Sequence, residues 1–215
     1  MGHAPKNFSN LLGKLKGISD KQLEAHFGLY NGYVKKLNEI DEKLQTADPT
    51  GGNYSFNEFS ELARRRVVAF NGTFLHELYF ENLSGTKTNP SEELKAQLGK
   101  DFGSFERFNA LMKGYAVSTP GWVLLVWNCH QQRLSLDLVY EHHIGLSANS
   151  KVICALDCWE HAFMIDYGTN KGEYVKAFTD NLNWDAVNKR FEKHANTSSC
   201  CDENKEQPKT GCCKM

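Results

Sequence analysis

The sequence predicts a mixed α and β chain. A long helical hairpin at the N-terminal end precedes a unit in which helices flank a small sheet. That makes it α/β, or α+β if the sheet is antiparallel, as its first hairpin implies. Three observations carry this prediction. Two stretches of helical periodicity, from about residue 20 past 39 and from about 57 to 83, are joined by a short turn. From Gly121 the apolar period changes, so that Trp122 to Trp127 and Arg133 to Tyr140 read as strands. Lys151 to Leu156, a short apolar and β-branched run, reads as a third strand.

Each element has a local reason. Ser19 followed three residues later by Gln22 has the form of a capping box and opens the first helix. Leu23, His26, Phe27, Tyr30, Tyr33, Val34 and Leu37 are its apolar or aromatic positions. Asp48-Pro49 and Gly51-Gly52 make the turn. The second helix carries Phe59, Leu62, Val67, Phe70, Phe74, Leu75, Leu78 and Tyr79, with His76 within it and Gly72 one turn earlier. A glycine inside a helix costs about 1 kcal/mol relative to alanine, so Gly72 should have a local reason, and space beside a bound group is one. Residues 84–89, rich in Gly, Ser and Thr, read as the boundary between residues 1–88 and a second domain, 89–195. Asn89 followed by Pro90 reads as the cap of a third helix, and Asp101 as the cap of a fourth carrying Phe105, Phe108 and Met112. In the second strand Leu134, Leu136, Leu138 and Tyr140 alternate, and helices close the chain near Lys193.

The 215 residues carry a formal net charge of -1 and 40% hydrophobic residues, an ordinary globular balance with no basic block for nucleic acid. No apolar run approaches a membrane span, and the N-terminus lacks the apolar core of a signal peptide. A cytoplasmic location is the expectation, although an already processed chain would look the same. Of the seven cysteines, Cys129, Cys154 and Cys158 read as small buried hydrophobes. Cys200, Cys201, Cys212 and Cys213 lie in a polar tail, 196–215, expected to be disordered. Those four could bind a soft metal ion or exchange thiols, or be simply tolerated there.

Asp157-Cys158-Trp159-Glu160-His161 puts a carboxylate and an imidazole four apart, where a strand hands over to a helix. They point into the same space and would make half of a metal site. Singly, each residue has a plain structural reading: Asp157 as a helix cap, His161 and His26 as packed side chains. Jointly, His26, His76, Asp157 and His161 offer three imidazoles and one carboxylate. Such a set suits a redox-capable iron or manganese ion better than structural zinc.

With those residues in view, the chain resembles the iron/manganese superoxide dismutase family from about Ile18 to Lys193. The segment from Asp157 to His161 matches the family's Asp-x-Trp-Glu-His motif. Phe102-Gly103-Ser104-Phe105, Gly121-Trp122 and Asn183-Trp184 add further matches. The resemblance implies a helical hairpin followed by an α/β domain with a three-stranded antiparallel sheet. It implies one iron or manganese ion per subunit on His26, His76, Asp157 and His161, with Tyr33 lining the substrate channel and Trp122 and Trp159 walling the site. The implied reaction is disproportionation of superoxide to dioxygen and hydrogen peroxide. The metal would alternate between trivalent and divalent states, with its bound solvent storing a proton.

The outer surroundings depart from the commonest members. The family's usual glutamine is absent from both of its places, which hold Gly72 and His142 here. His142, which could also be a plain turn residue beside His143, would take the glutamine's role, with Gly72 giving an imidazole room to enter. The missing glutamine inclines the expectation towards iron, or to activity with both metals. A histidine-tyrosine contact that many members make across a dimer is replaced by Tyr30 and Met164. Glu160 remains, and in the family it reaches the partner's last histidine ligand, so a homodimer is expected, with a tetramer the alternative. Lys171 stands where the family has a cation near the channel mouth, more usually arginine. The competing reading is a non-catalytic metal-binding protein on the same fold.

Overall fold

A computed structural model describes residues 2–195. The expectation of disorder over 196–215, and of a role for its four cysteines, lies outside the described residues. The helix α1 (Asp20–Leu44) starts where Ser19 accepts a hydrogen bond from the Gln22 amide, and α2 (Glu58–Glu81) starts where Asn57 accepts from Ser60. Leu37 and Ile40 of α1 pack with Ala69 of α2 at one end. The His26 ring meets Phe80 at the other, so the two helices are antiparallel, as expected. Only half of the capping box forms, because the Gln22 side chain is used elsewhere.

The next two helices start later than their sequence suggests. Ser91, not Asn89, caps α3 (Glu92–Phe102), and Ser104, not Asp101, caps α4 (Phe105–Ser118). Gly103, at φ 93°, breaks the chain between them, a conformation that favours glycine. Asp101 therefore stays inside α3, where its carboxylate accepts from Gln97 and from the Leu134 amide of the sheet.

Three antiparallel strands form one sheet in the order β2-β1-β3: β1 (Trp122–Asn128), β2 (Arg133–Val139) and β3 (Ser150–Asp157). The fold is therefore α+β, with a small three-stranded antiparallel sheet. The central β1 is buried almost throughout, which is why it reads as a continuous apolar run rather than an alternation. Gly121 precedes it because a Cβ there would collide with the Val139 and Tyr140 carbonyls. The alternation expected along β2 does not hold. Leu136 and Leu138 are only partly buried and Tyr140 is 53% exposed. Asp137 is buried instead, its carboxylate satisfied by the amide and hydroxyl of Ser147.

After β3 the chain makes a 3-10 turn (Glu160–Ala162) and the short α5 (Met164–Tyr167) rather than a full helix, with Gly168 at φ 52° ending it. The closing helices are α6 (Lys171–Asp180) and α7 (Trp184–Ala195). Arg190 of α7 donates to Asn82, to the Ile153 carbonyl and to Glu81, tying α7 to α2 and β3. Cys129, Cys154 and Cys158 are buried free thiols, as expected. No helix among the described residues is long and apolar enough to cross a membrane.

Candidate metal centre

The sheet register and two helical turns bring four side chains to one point. Asp157 is the last residue of β3, paired with Trp122 across the sheet. His26 and His76 project from α1 and α2, and His161 from the 3-10 turn. One ligand atom from each of the four lies within 4.8 Å of the others. Asp157 Oδ2 is 3.2 Å from His26 Nε2, 3.5 Å from His76 Nε2 and 3.1 Å from His161 Nε2, and the last two nitrogens are 3.4 Å apart.

That geometry fits a metal ion. Metal–ligand bonds of about 2.1 Å would set ligand atoms about 3.0 Å apart at right angles and about 3.4 Å apart at tetrahedral angles. The chemistry of the donors fits as well. The His76 Nδ1–H donates to the Gly72 carbonyl at 2.5 Å, which fixes the tautomer and leaves Nε2 a bare lone pair. Burial holds the His26 imidazole below its ordinary pKa, and burial followed by the neighbouring His26 holds His76 well below it, so both are neutral near pH 7. Burial works against ionisation of Asp157, but His161 and then His26 outweigh it and hold the carboxyl far below the usual carboxylate range. Its other oxygen accepts from the Trp159 amide at 2.9 Å. Asp157 does not cap a helix, since Trp159 holds the cap position of the 3-10 turn that follows and has no side-chain bond there; one Asp157 oxygen braces the turn while the other faces the centre.

Aromatic rings enclose the cluster. The Tyr33 ring stacks on His76 at 5.3 Å, and Trp122 meets His76 edge-on at 5.1 Å. Trp159 lies parallel to His161 at 6.3 Å, its indole N–H buried with no hydrogen-bond partner among the described residues. His142 is brought into this wall, 4% exposed, with Asn71 donating to its carbonyl at 2.7 Å. The Trp122 indole N–H, which only donates, points at His142 Nδ1 at 3.0 Å. The proton of the neutral His142 ring therefore sits on Nε2, 2.6 Å from the Tyr33 hydroxyl. Burial keeps that ring neutral, with its pKa down to about 4.

One expectation about this surround changes. Gly72 was expected to make room for an imidazole, yet the Tyr33 ring fills the space: a Cβ on Gly72 would lie 2.5 Å from it. His142 sits one step further out, against the Tyr33 hydroxyl. Lys171 is half-buried. Its ammonium donates to the Thr119 carbonyl at 2.9 Å and lies 5.5 Å from the Phe163 ring, beside a cavity that His161 and Trp159 also line. Glu160 is exposed on the same surface, with no ion pair among the described residues.

Some of the supporting residues do not stand out in the sequence. The Gln22 side chain donates to the His161 carbonyl at 2.5 Å and accepts from the Ile165 amide at 3.1 Å. Tyr174 donates to the Asp157 carbonyl at 2.7 Å. Glu77, next to His76, is buried with His3, Lys6 and Tyr30 around it. The available signal was spacing: Gln22, His26, Tyr30 and Tyr33 fall at helical intervals along one face of α1.

Comparison with known proteins agrees with this geometry. Residues 90–190 match the profile described as "Iron/manganese superoxide dismutases, C-terminal domain". An iron superoxide dismutase of Aquifex aeolicus is 38% identical over 184 residues, 83% of this chain and 86% of that protein. A manganese superoxide dismutase of Halobacterium salinarum is 34% identical over 182 residues, 83% of this chain and 88% of that protein. An iron enzyme of Cupriavidus metallidurans is 35% identical over 184 residues, 83% and 90%. Taken with the four convergent donors and the sheet that places them, these likenesses make the chain a member of the iron/manganese superoxide dismutase family.

Proposed function

We propose that the chain disproportionates superoxide to dioxygen and hydrogen peroxide at an iron or manganese ion held by His26, His76, Asp157 and His161, with iron ahead of manganese. The observation that carries the proposal is the convergence of three imidazoles and one carboxylate from four separate segments into a buried, aromatic-walled point. An iron or manganese ion bound there supplies the one-electron redox couple that this reaction needs.

The residues around it have distinct tasks. Asp157 contributes the one negative charge of the set, and its neighbours keep it ionised across the physiological range. The His142 Nε2–H donates to the Tyr33 hydroxyl, which leaves the Tyr33 proton free to donate towards an anionic substrate. Tyr33 also narrows access, since its ring occupies the space beside Gly72. Trp122 sets the orientation of His142, while Trp122 and Trp159 exclude water from the site. Lys171 places a positive charge in the wall, which would raise the local concentration of a small anion.

The proposed assembly is a homodimer through the surface of Glu160. His161 is the one ligand with appreciable exposure, 28%, and Met164 and Ile165 beside it are exposed apolar residues. The proposed location is the cytoplasm, carried over from the sequence. Superoxide dismutation by separate iron-loaded and manganese-loaded preparations tests the function, with elemental analysis and an Asp157→Ala control. Activity that vanishes in the control supports it, and the ratio between metals gives the preference. Full occupancy without activity in either form rejects it.

A further inference from the structure

Glu77 takes no part in the reaction above, yet three side chains from two other parts of the chain converge on its carboxylate. It follows the ligand His76 on α2 and is 2% exposed. His3 Nε2 lies 2.6 Å from one oxygen, and the Lys6 ammonium lies 2.8 Å from the other. The Tyr30 hydroxyl donates to the first oxygen at 2.9 Å. A carboxylate buried this deeply is tolerated only when its oxygens are paired, and these donors meet that need.

The donors link the carboxylate to the metal centre from two directions. Tyr30 is four residues after His26, one turn along the same face of α1. At 1% exposure it faces inward, its ring 6.0 Å from Phe80 and 6.5 Å from His76. The same hydroxyl accepts from the Lys6 amide at 2.9 Å. The arm carrying His3 and Lys6 is itself fixed, because Asn38 of α1 accepts from the His3 amide at 2.7 Å and donates to its carbonyl at 2.8 Å. One arm therefore clasps α1 and α2 where each carries a ligand.

We propose that Glu77 is a positioning residue for the metal centre, joining the turn of α1 that carries His26 to the turn of α2 that carries His76. The His3 and Lys6 arm is the counter-charge that keeps it buried in that task. This proposal rests on the metal-site reading above. Loosening the clasp frees two of the four ligands to move relative to Asp157, and the effect falls on metal retention and ligand geometry.

The test uses the full chain loaded with iron, following metal release to an excess of chelator, the ferric electron paramagnetic resonance spectrum and the thermal midpoint. A His3→Gln, Lys6→Gln double variant and, separately, Tyr30→Phe each release metal about tenfold faster than the unaltered chain, the scale on which residues behind metal ligands act. Both change the ferric line shape, whereas Lys6→Arg restores the unaltered rate and spectrum. Glu81→Gln removes the other carboxylate on Lys6, and one partner of Arg190, but leaves Glu77 untouched; its release rate stays close to that of the unaltered chain. Unaltered release and spectra in both the double variant and Tyr30→Phe overturn the proposal. Equal acceleration in Glu81→Gln overturns it too, since anchoring of the arm would then matter and Glu77 would not. An unaltered chain that takes up no iron in elemental analysis removes the metal-site reading itself, and that failure is seen before any variant is compared.

Discussion

The side-chain amide of Gln22 donates to the backbone carbonyl of His161, 2.5 Å away, across 139 residues of sequence. Its other end accepts from the Ile165 amide at 3.1 Å, so one side chain from α1 clamps the turn that presents the last ligand. Gln22→Leu keeps the volume and loses both bonds. It should lower stability by about 2 kcal/mol, the cost of leaving buried polar groups unpaired. Thermal unfolding of the metal-free form checks this, and a midpoint unchanged to within a degree would refute it.

Gly72→Ala should show a sign reversal that depends on Tyr33. An alanine in mid-helix gains about 1 kcal/mol over glycine. Here its Cβ would lie 2.5 Å from the Tyr33 ring, close to the ring's attachment point and not at a flexible end. Overpacking of that kind costs about 1–3 kcal/mol, so the variant is destabilised in the unaltered background. In a Tyr33→Ala background the obstruction is gone and the same change should stabilise. Urea unfolding of all four forms measures the coupling, and additive effects would reject the close approach.

Stability should fall with acid partly through Glu81. Burial raises its carboxyl pKa, but Lys6 and Arg190 outweigh that and hold it below the ordinary value. A depressed carboxylate contributes stability that is full above the unfolded pKa, near 4.5, and is lost as the pH falls through the lower folded value. The stability difference between the unaltered chain and Glu81→Gln should hold constant from pH 8 to 6. It should shrink below about 4.5. Denaturant unfolding across that range checks it, and a difference that grows on acidification contradicts the pairing.

The thiols of Cys154 and Cys158 should resist alkylation in the folded protein. Burial pushes Cys154 up to about 12 and Cys158 higher still, so neither offers thiolate near neutral pH. Peptide mapping after brief treatment with iodoacetamide should find both unmodified until denaturant is added. Rapid labelling of either would mean that the face of β3 behind Asp157 opens readily.

The hairpin and the three strands were legible in the sequence because each has a period, and Asp157 and His161 because of their spacing, whereas the family resemblance is what marks His26 and His76 as ligands. Boundaries were less legible. Asn89 and Asp101 have the chemistry of caps, yet Ser91 and Ser104 do the capping, since the positive φ at Gly103 fixes where one helix can end. Gln22 matched a capping box and so looked already employed, when its side chain in fact crosses to another segment. Glu77 was hidden for a related reason. A charged residue beside an apolar helix face reads as solvent-facing until an arm from elsewhere is known to cover it. Gly72 was correctly marked as needing a local reason, but the group that needs the space is the Tyr33 ring.

The wide spacing of the ligands along the chain has a consequence for biosynthesis. His26 and Asp157 stand 131 residues apart, and the set is closed only by His161. A nascent chain shorter than that has no complete centre, whatever its helical hairpin has already formed. Choice between iron and manganese is therefore deferred until β3 has docked beside β1 and the turn after it, which carries His161, has emerged from the ribosome. Which ion the finished enzyme carries then depends on the cellular supply at that late moment as well as on the side chains that receive it.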